Sequence, residues 1–78
     1  MKKYIVALNA PFNTAASVGA VIKDIEALAV TEKQSLKIAY VFNEIGVLGL
    51  ECAAKLADKI RQMKAVADIH PDRPAFIN

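Results

Sequence analysis

The chain has 78 residues, of which 55% are hydrophobic and 23% charged, and its formal net charge is +2. A chain this short has room for one domain, and its apolar content suffices for a core, which argues against a disordered chain. The ten basic and eight acidic residues are spread along the chain without a basic patch, so nucleic acid is not an expected partner.

The first predicted elements are a strand and a helix. Residues 3–8 are apolar, aromatic or β-branched apart from Lys3, and they end before Asn9 and Pro11, which is typical of a central strand. Asn13 or Thr14 can then cap a helix that we expect to end near residue 28 or 29. Its apolar residues recur at the three- and four-residue spacing of a helix face: Val18, Val21, Ile22, Ile25 and Leu28.

A hairpin is predicted next. Its first strand is indicated by the alternation of Leu36, Ile38, Tyr40 and Phe42 with Lys37, Ala39 and Val41. Asn43, Glu44 and Gly46 mark the turn into a third strand over residues 47–51, where Gly49 permits close approach of another group.

The last predicted elements are a helix and a short strand. From Ala53 to about Lys64, apolar and charged residues separate onto two helical faces, although no Ser, Thr, Asp or Asn precedes Ala53 as a cap. The short apolar run over residues 65–69 predicts a short fourth strand. We expect His70 and Pro71 to lie beyond regular structure, because proline lacks an amide donor.

The order β-α-β-β-α-β predicts an α+β, ferredoxin-like sandwich. In this fold a four-stranded antiparallel sheet carries two helices on one face, and the first and third strands are central. The other sheet face stays uncovered. Because the first two strands are so apolar, this face should be partly hydrophobic, which is typical of a partner-binding surface.

The sequence predicts no enzyme chemistry. His70 is the only histidine, and no Ser, Cys or carboxylate stands at a catalytic spacing from it, so we interpret it as a partly exposed residue at a strand end. Cys52 is the only cysteine, which excludes an intramolecular disulfide and a paired-thiol metal site and favours a small buried apolar residue. We therefore expect a binding protein without a catalytic site, a metal or a cofactor.

Several segments resemble one family. Residues 2–9, Lys-Lys-Tyr-Ile-Val-Ala-Leu-Asn, and residues 66–72, Val-Ala-Asp-Ile-His-Pro-Asp, are similar to the opening and closing strands of the inhibitor I9 family. Residues 40–43 with Gly49 and Leu50 resemble the hairpin of that family, and residues 55–63 resemble its second helix. The family comprises propeptides and free inhibitors of subtilisin-like serine proteases.

The resemblance implies a protein inhibitor of a subtilisin-like serine protease, either as a free inhibitor or as an excised propeptide that would also act as an intramolecular folding chaperone for that protease. In the family, the uncovered sheet face packs on two surface helices of the protease, acidic residues near the end of the fourth strand cap those helices, and the tail lies product-like in the active-site cleft. By resemblance, residues 1–72 would form the inhibitor domain and Asp72 would meet the helix N-termini. Residues 73–78 would form an extended tail that places four residues in the cleft: Ala75, Phe76, Ile77 and Asn78.

Three features depart from the family pattern. The second helix lacks the usual cap before Ala53, and Met63 and Lys64 replace the usual Pro-Gly turn near its end. His70 stands where a glutamate commonly caps a protease helix, so this binding contact would change. Asn78 would precede the scissile bond, where most subtilisins favour large apolar or aromatic side chains.

The remaining expectations concern assembly and location. The resemblance implies a free monomer that forms a heterodimer with the protease. Asn9, Pro11 and Asn13 interrupt the first apolar run, so we expect no signal peptide and no membrane partner, and the chain would be cytoplasmic or released as an excised propeptide. The alternative function is a homo-oligomeric ferredoxin-like binding or regulatory domain, whose bare sheet face pairs with a second copy.

Overall fold

A computed structural model describes residues 2–72. The elements follow in the order β1 (Lys2–Leu8), α1 (Ala15–Thr31), β2 (Leu36–Phe42), β3 (Val47–Cys52), α2 (Ala54–Arg61) and β4 (Val66–Pro71). The strands form one antiparallel sheet in the order β2-β3-β1-β4, so β1 and β3 are central, as expected. Both helices contribute to one core on one side of the sheet, and the predicted α+β, ferredoxin-like sandwich is confirmed.

The core lies between the sheet and the helices. Alternate residues of β1 and β3 point into it, and α1 contributes the apolar residues that recur every three or four positions. Ile25, Leu56 and Ile60 are fully buried, and burial of each such side chain contributes about 1.5–3 kcal/mol. The sheet residues of this core are Tyr4, Val6, Leu8, Leu48, Leu50, Cys52, Val66 and Ile69.

A β-bulge changes the facing of β2. Strict alternation would place Leu36, Ile38, Tyr40 and Phe42 on one face. The pairing register with β3 instead shifts between Ile38 and Tyr40, which leaves Ala39 as the extra residue. Leu36 and Ile38 pack on the core, and after the bulge Val41 takes over that role. Tyr40 and Phe42 therefore lie on the opposite face of the sheet.

The β2–β3 hairpin depends on Gly46. This residue has a φ of +64°, a left-handed conformation that glycine adopts readily, and a Cβ atom here would overlap Asn13. The Leu8 amide donates a hydrogen bond to the Gly46 carbonyl oxygen over 2.9 Å, which ties the turn to the end of β1.

β4 extends further than expected and α2 ends earlier. β4 continues through His70 and Pro71, so the expectation that these residues lie beyond regular structure is wrong. Because the Asp72 amide donates to the Lys3 carbonyl oxygen over 2.8 Å, the alternating pattern directs the nitrogen of Pro71 away from β1, toward the sheet edge. α2 ends at Arg61 because bonds from Gln62 to Lys59 and from Met63 to Ile60 tighten its last turn.

α1 continues to Thr31, two residues beyond the later of the expected ends. The chain then turns at Lys33, which has a φ of 56°, a position where glycine usually ends a helix. The absence of a glycine there explains why the sequence did not mark the helix end. None of the helices described within residues 2–72 is long and apolar enough to cross a membrane.

Candidate functional site

The sheet face opposite the helices is not covered by any element within residues 2–72. We call it the open face. Three rows of residues cross it, in each case from the β4 side to β2: Asp72, Lys3, Glu51 and Lys37; His70, Ile5, Gly49 and Tyr40; Asp68, Ala7, Val47 and Phe42.

The rows differ in chemistry. The first row alternates negative and positive side chains, and Lys37 Nζ lies 3.8 Å from Glu51 Oε2. The other two rows are apolar across β1, β3 and β2, where Ile5, Ala7 and Val47 are half-buried. The predicted partly hydrophobic face is therefore present, with a charged row along one end.

Tyr40 lies across the open face. A Cβ atom added to Gly49 would overlap the Tyr40 ring, so the ring rests directly on the glycine backbone. The Tyr40 hydroxyl donates a hydrogen bond to Asp72 Oδ2 over 3.2 Å, although Tyr40 belongs to one edge strand and Asp72 follows the other. Burial raises the pKa of the Tyr40 hydroxyl above its usual 10.0, and the hydrogen bond and negative charge of Asp72 raise it further.

Asp72 is thus held at two points, which are its amide on Lys3 and its carboxylate on Tyr40. These contacts place the carboxylate at a corner of the open face, immediately before residue 73. A carboxylate accepts about four hydrogen bonds, so the contact with Tyr40 leaves Asp72 able to bind other donors.

His70 belongs to a polar cluster at the β4 edge. It is exposed, as expected, and its Nε2 lies 2.7 Å from Asp68 Oδ2. Arg61 of α2 reaches the same edge, where its Nη1 lies 3.7 Å from Asp68 Oδ1 and its Nη2 donates to the Ile69 carbonyl oxygen over 3.2 Å. Arg61 therefore satisfies an outward-facing carbonyl of an edge strand, and Asp68 joins it to His70.

An apolar patch continues from the open face to the hairpin turn. Phe42 is 53% exposed and Ile45 is 64% exposed. The Tyr40 and Phe42 rings lie 5.2 Å apart between centroids, and the turn forms an open groove of about 310 Å³ lined by residues 41–45. Adjacent exposed apolar side chains of this kind are typical of interaction surfaces.

The structure leaves little chemistry to Cys52. Its side chain is fully buried, as the sequence predicts, and burial raises the pKa of its thiol, which keeps the thiol protonated and unreactive. Within residues 2–72, no group of three or more His, Cys, Asp or Glu side chains is placed to hold a metal ion.

The predicted binding residues fall into two groups. Asp72 and His70 are described, and they lie in neighbouring rows along the β4 side of the open face, because they are two residues apart in sequence. The four tail residues lie outside the described part of the chain: Ala75, Phe76, Ile77 and Asn78.

Sequence reasoning missed Tyr40, Asp68 and Arg61. The two-residue spacing of Asp68 and His70 could have placed both on one strand face. The link from Tyr40 to Asp72 had no such signal, because it depends on the bulge at Ala39 and on the strand order.

No protein-family model and no curated protein matches this chain, so comparison with known proteins identifies no relative. The resemblance to the inhibitor I9 family stays a prediction that depends on the quoted segments.

Proposed function

We propose that this protein inhibits a subtilisin-like serine protease by docking its open face on the protease and filling the active-site cleft with residues 73–78. The observation that carries the proposal is the position of the Asp72 carboxylate. Tyr40 and Lys3 hold this residue at a corner of the open face, immediately before the residues proposed to enter the cleft. The resemblance to the inhibitor I9 family supplies the class of protease.

The open face supports docking through its two kinds of surface. Burial of its apolar rows against a partner stabilises the complex by about 25 cal/mol for each Å² of apolar surface removed from water. Its row of alternating charges favours one orientation of the partner, since a misplaced partner would bring like charges together.

The carboxylates of β4 and its end support binding to helices of the protease. A helix N-terminus exposes unpaired amides and carries a partial positive charge, so it favours an anion. Asp72 provides one carboxylate. Asp68, which pairs with His70 on the same face, provides a second, although His70 itself replaces the glutamate common in the family.

The removal of one negative charge tests the role of Asp72 in docking. Asp72→Asn removes the negative charge at the corner of the open face, and Asp24→Asn removes an equal charge from an exposed position of α1 on the helix side. We expect Asp72→Asn to weaken inhibition by about 0.5–2 kcal/mol, and Asp24→Asn to leave it nearly unchanged. Equal inhibition constants for both variants would contradict a role for Asp72 in docking.

The second candidate function is the homo-oligomeric binding domain. The exposure of Phe42 beside Tyr40 favours it, since a second copy could cover the same apolar patch. Sedimentation equilibrium without a partner separates the two functions. The inhibitor proposal predicts a monomer, whereas a stable dimer that loses affinity on Phe42→Ser would favour the oligomer.

A further inference from the structure

The inference concerns how the Asp72 carboxylate reaches its orientation, and it rests on the proposed function. Two features of the sheet bring the Tyr40 hydroxyl to it. The bulge at Ala39 turns Tyr40 from the core side to the open face. Gly49, its cross-strand neighbour, has no side chain, so the ring can lie flat and point its hydroxyl toward the far edge of the sheet.

The resulting hydrogen bond restricts a side chain that would otherwise rotate. Asp72 follows the last residue of β4, and an aspartate at such a position samples several rotamers in water. Its bond to Tyr40 selects one of them before any partner arrives. A group that is ordered in advance loses less conformational entropy on binding.

We propose that Tyr40 is a positioning residue, whose hydroxyl presets the Asp72 carboxylate for the helix N-termini of the protease. Tyr40 itself need not touch the protease for this role. The effect of its hydroxyl on binding should therefore pass through Asp72 alone.

A double-mutant cycle tests this dependence. Tyr40→Phe keeps the ring on Gly49 and removes only the hydroxyl, and Asp72→Ala removes the group that the hydroxyl orients. Tyr4→Phe is the matched control, because it removes a hydroxyl from the core side of β1. We expect Tyr40→Phe to weaken inhibition roughly 2- to 10-fold, the range expected for ordering one side chain. We expect no further loss from Tyr40→Phe in the Asp72→Ala background, and no change from Tyr4→Phe.

A measurement on the free protein adds a readout that a purely structural role would not move. The couplings between the α and β protons of Asp72, measured by NMR, should indicate one rotamer in the wild-type protein and rotamer averaging in Tyr40→Phe. Equal losses in both backgrounds of the cycle, or Asp72 couplings unchanged by Tyr40→Phe, would overturn the proposal. If the wild-type protein inhibits no subtilisin, the proposed function fails, and the couplings alone decide whether Tyr40 orders the carboxylate.

Discussion

Gly49 and Tyr40 depend on each other, since the backbone of one residue supports the ring of the other. An aromatic ring that covers a glycine in a neighbouring strand compensates for the packing that glycine lacks. The pair therefore explains why a residue of low strand propensity lies in the centre of the sheet.

We expect Gly49→Ala to displace the Tyr40 ring and to break its bond to Asp72. The loss of stability should be about 1–3 kcal/mol, the usual cost of overpacking, and urea denaturation measures it. Gly19→Ala is the control, because Gly19 lies in α1 with open space around its Cα, and alanine there should add up to about 1 kcal/mol. A stable Gly49→Ala variant that retains the Tyr40 contact would contradict the described packing.

Ionisation of the two tyrosines should destabilise the fold at alkaline pH. Burial raises the pKa of Tyr4 and of Tyr40 above 10.0, so the fold favours the neutral phenols. The stabilisation is complete below pH 10, near the pKa of the unfolded chain, and is lost as pH rises through the higher pKa values of the folded state. Denaturation at a series of pH values should show this decline.

Ultraviolet titration of a Tyr4→Phe variant follows Tyr40 alone, since the chain has two tyrosines. In that background, Asp72→Ala should lower the pKa of Tyr40, because it removes both the hydrogen bond and the negative charge. An unchanged titration curve would mean that the hydroxyl does not bind Asp72 in solution.

At the scale of the elements, α2 begins without a capping side chain. Ala53 precedes it in the extended conformation of a capping residue but supplies no side-chain hydrogen bond. We expect Ala53→Ser to raise the free energy of unfolding by about 0.5–2 kcal/mol, because the serine hydroxyl can accept a bond from an unpaired amide of the first turn. Ala54→Ser, one residue later, should not stabilise the protein. Thermal unfolding compares the two variants, and equal midpoints would show that the cap does not form.

Elements set by local sequence patterns are predictable from the sequence, whereas features set by strand pairing are not. Local patterns predict the fold, since the continuous apolar run of β1, the hairpin glycine Gly46 and the apolar spacing of α1 all depend on neighbours in sequence. The end of β4 was missed because Pro71 is tolerated only once its nitrogen faces the sheet edge.

The open face was predicted as a surface, but its arrangement was not. The bulge at Ala39 depends on pairing with β3, and it reversed the side on which Tyr40 and Phe42 lie. Asp72 and His70 could be proposed from the resemblance, whereas their partners Tyr40 and Asp68 emerge only from the assembled sheet.

At the scale of the whole molecule, folding and inhibition should depend on different parts of the chain. Within residues 2–72, the buried core extends no further along the chain than Ile69. We expect deletion of Ala75 to Asn78 to leave the unfolding midpoint nearly unchanged and to abolish inhibition, because nothing would then fill the cleft.

Replacement of Asn78 by leucine is the complementary change. It should improve inhibition of a subtilisin with a large apolar pocket, because burial of the leucine side chain adds apolar contact area. A truncated protein that unfolds would make the tail structural, and a truncated protein that inhibits as well as the full chain would remove the tail from the mechanism.

The proposed function depends on one class of partner, a subtilisin-like protease that binds both the open face and the tail. Inhibition constants of the full chain against a panel of subtilisin-like and chymotrypsin-like proteases test it most directly, because the two classes differ in the surface surrounding a similar active site. We expect tight inhibition of at least one subtilisin-like protease and no inhibition of the chymotrypsin-like enzymes. Failure to inhibit any of several subtilisins at micromolar concentration would contradict the account.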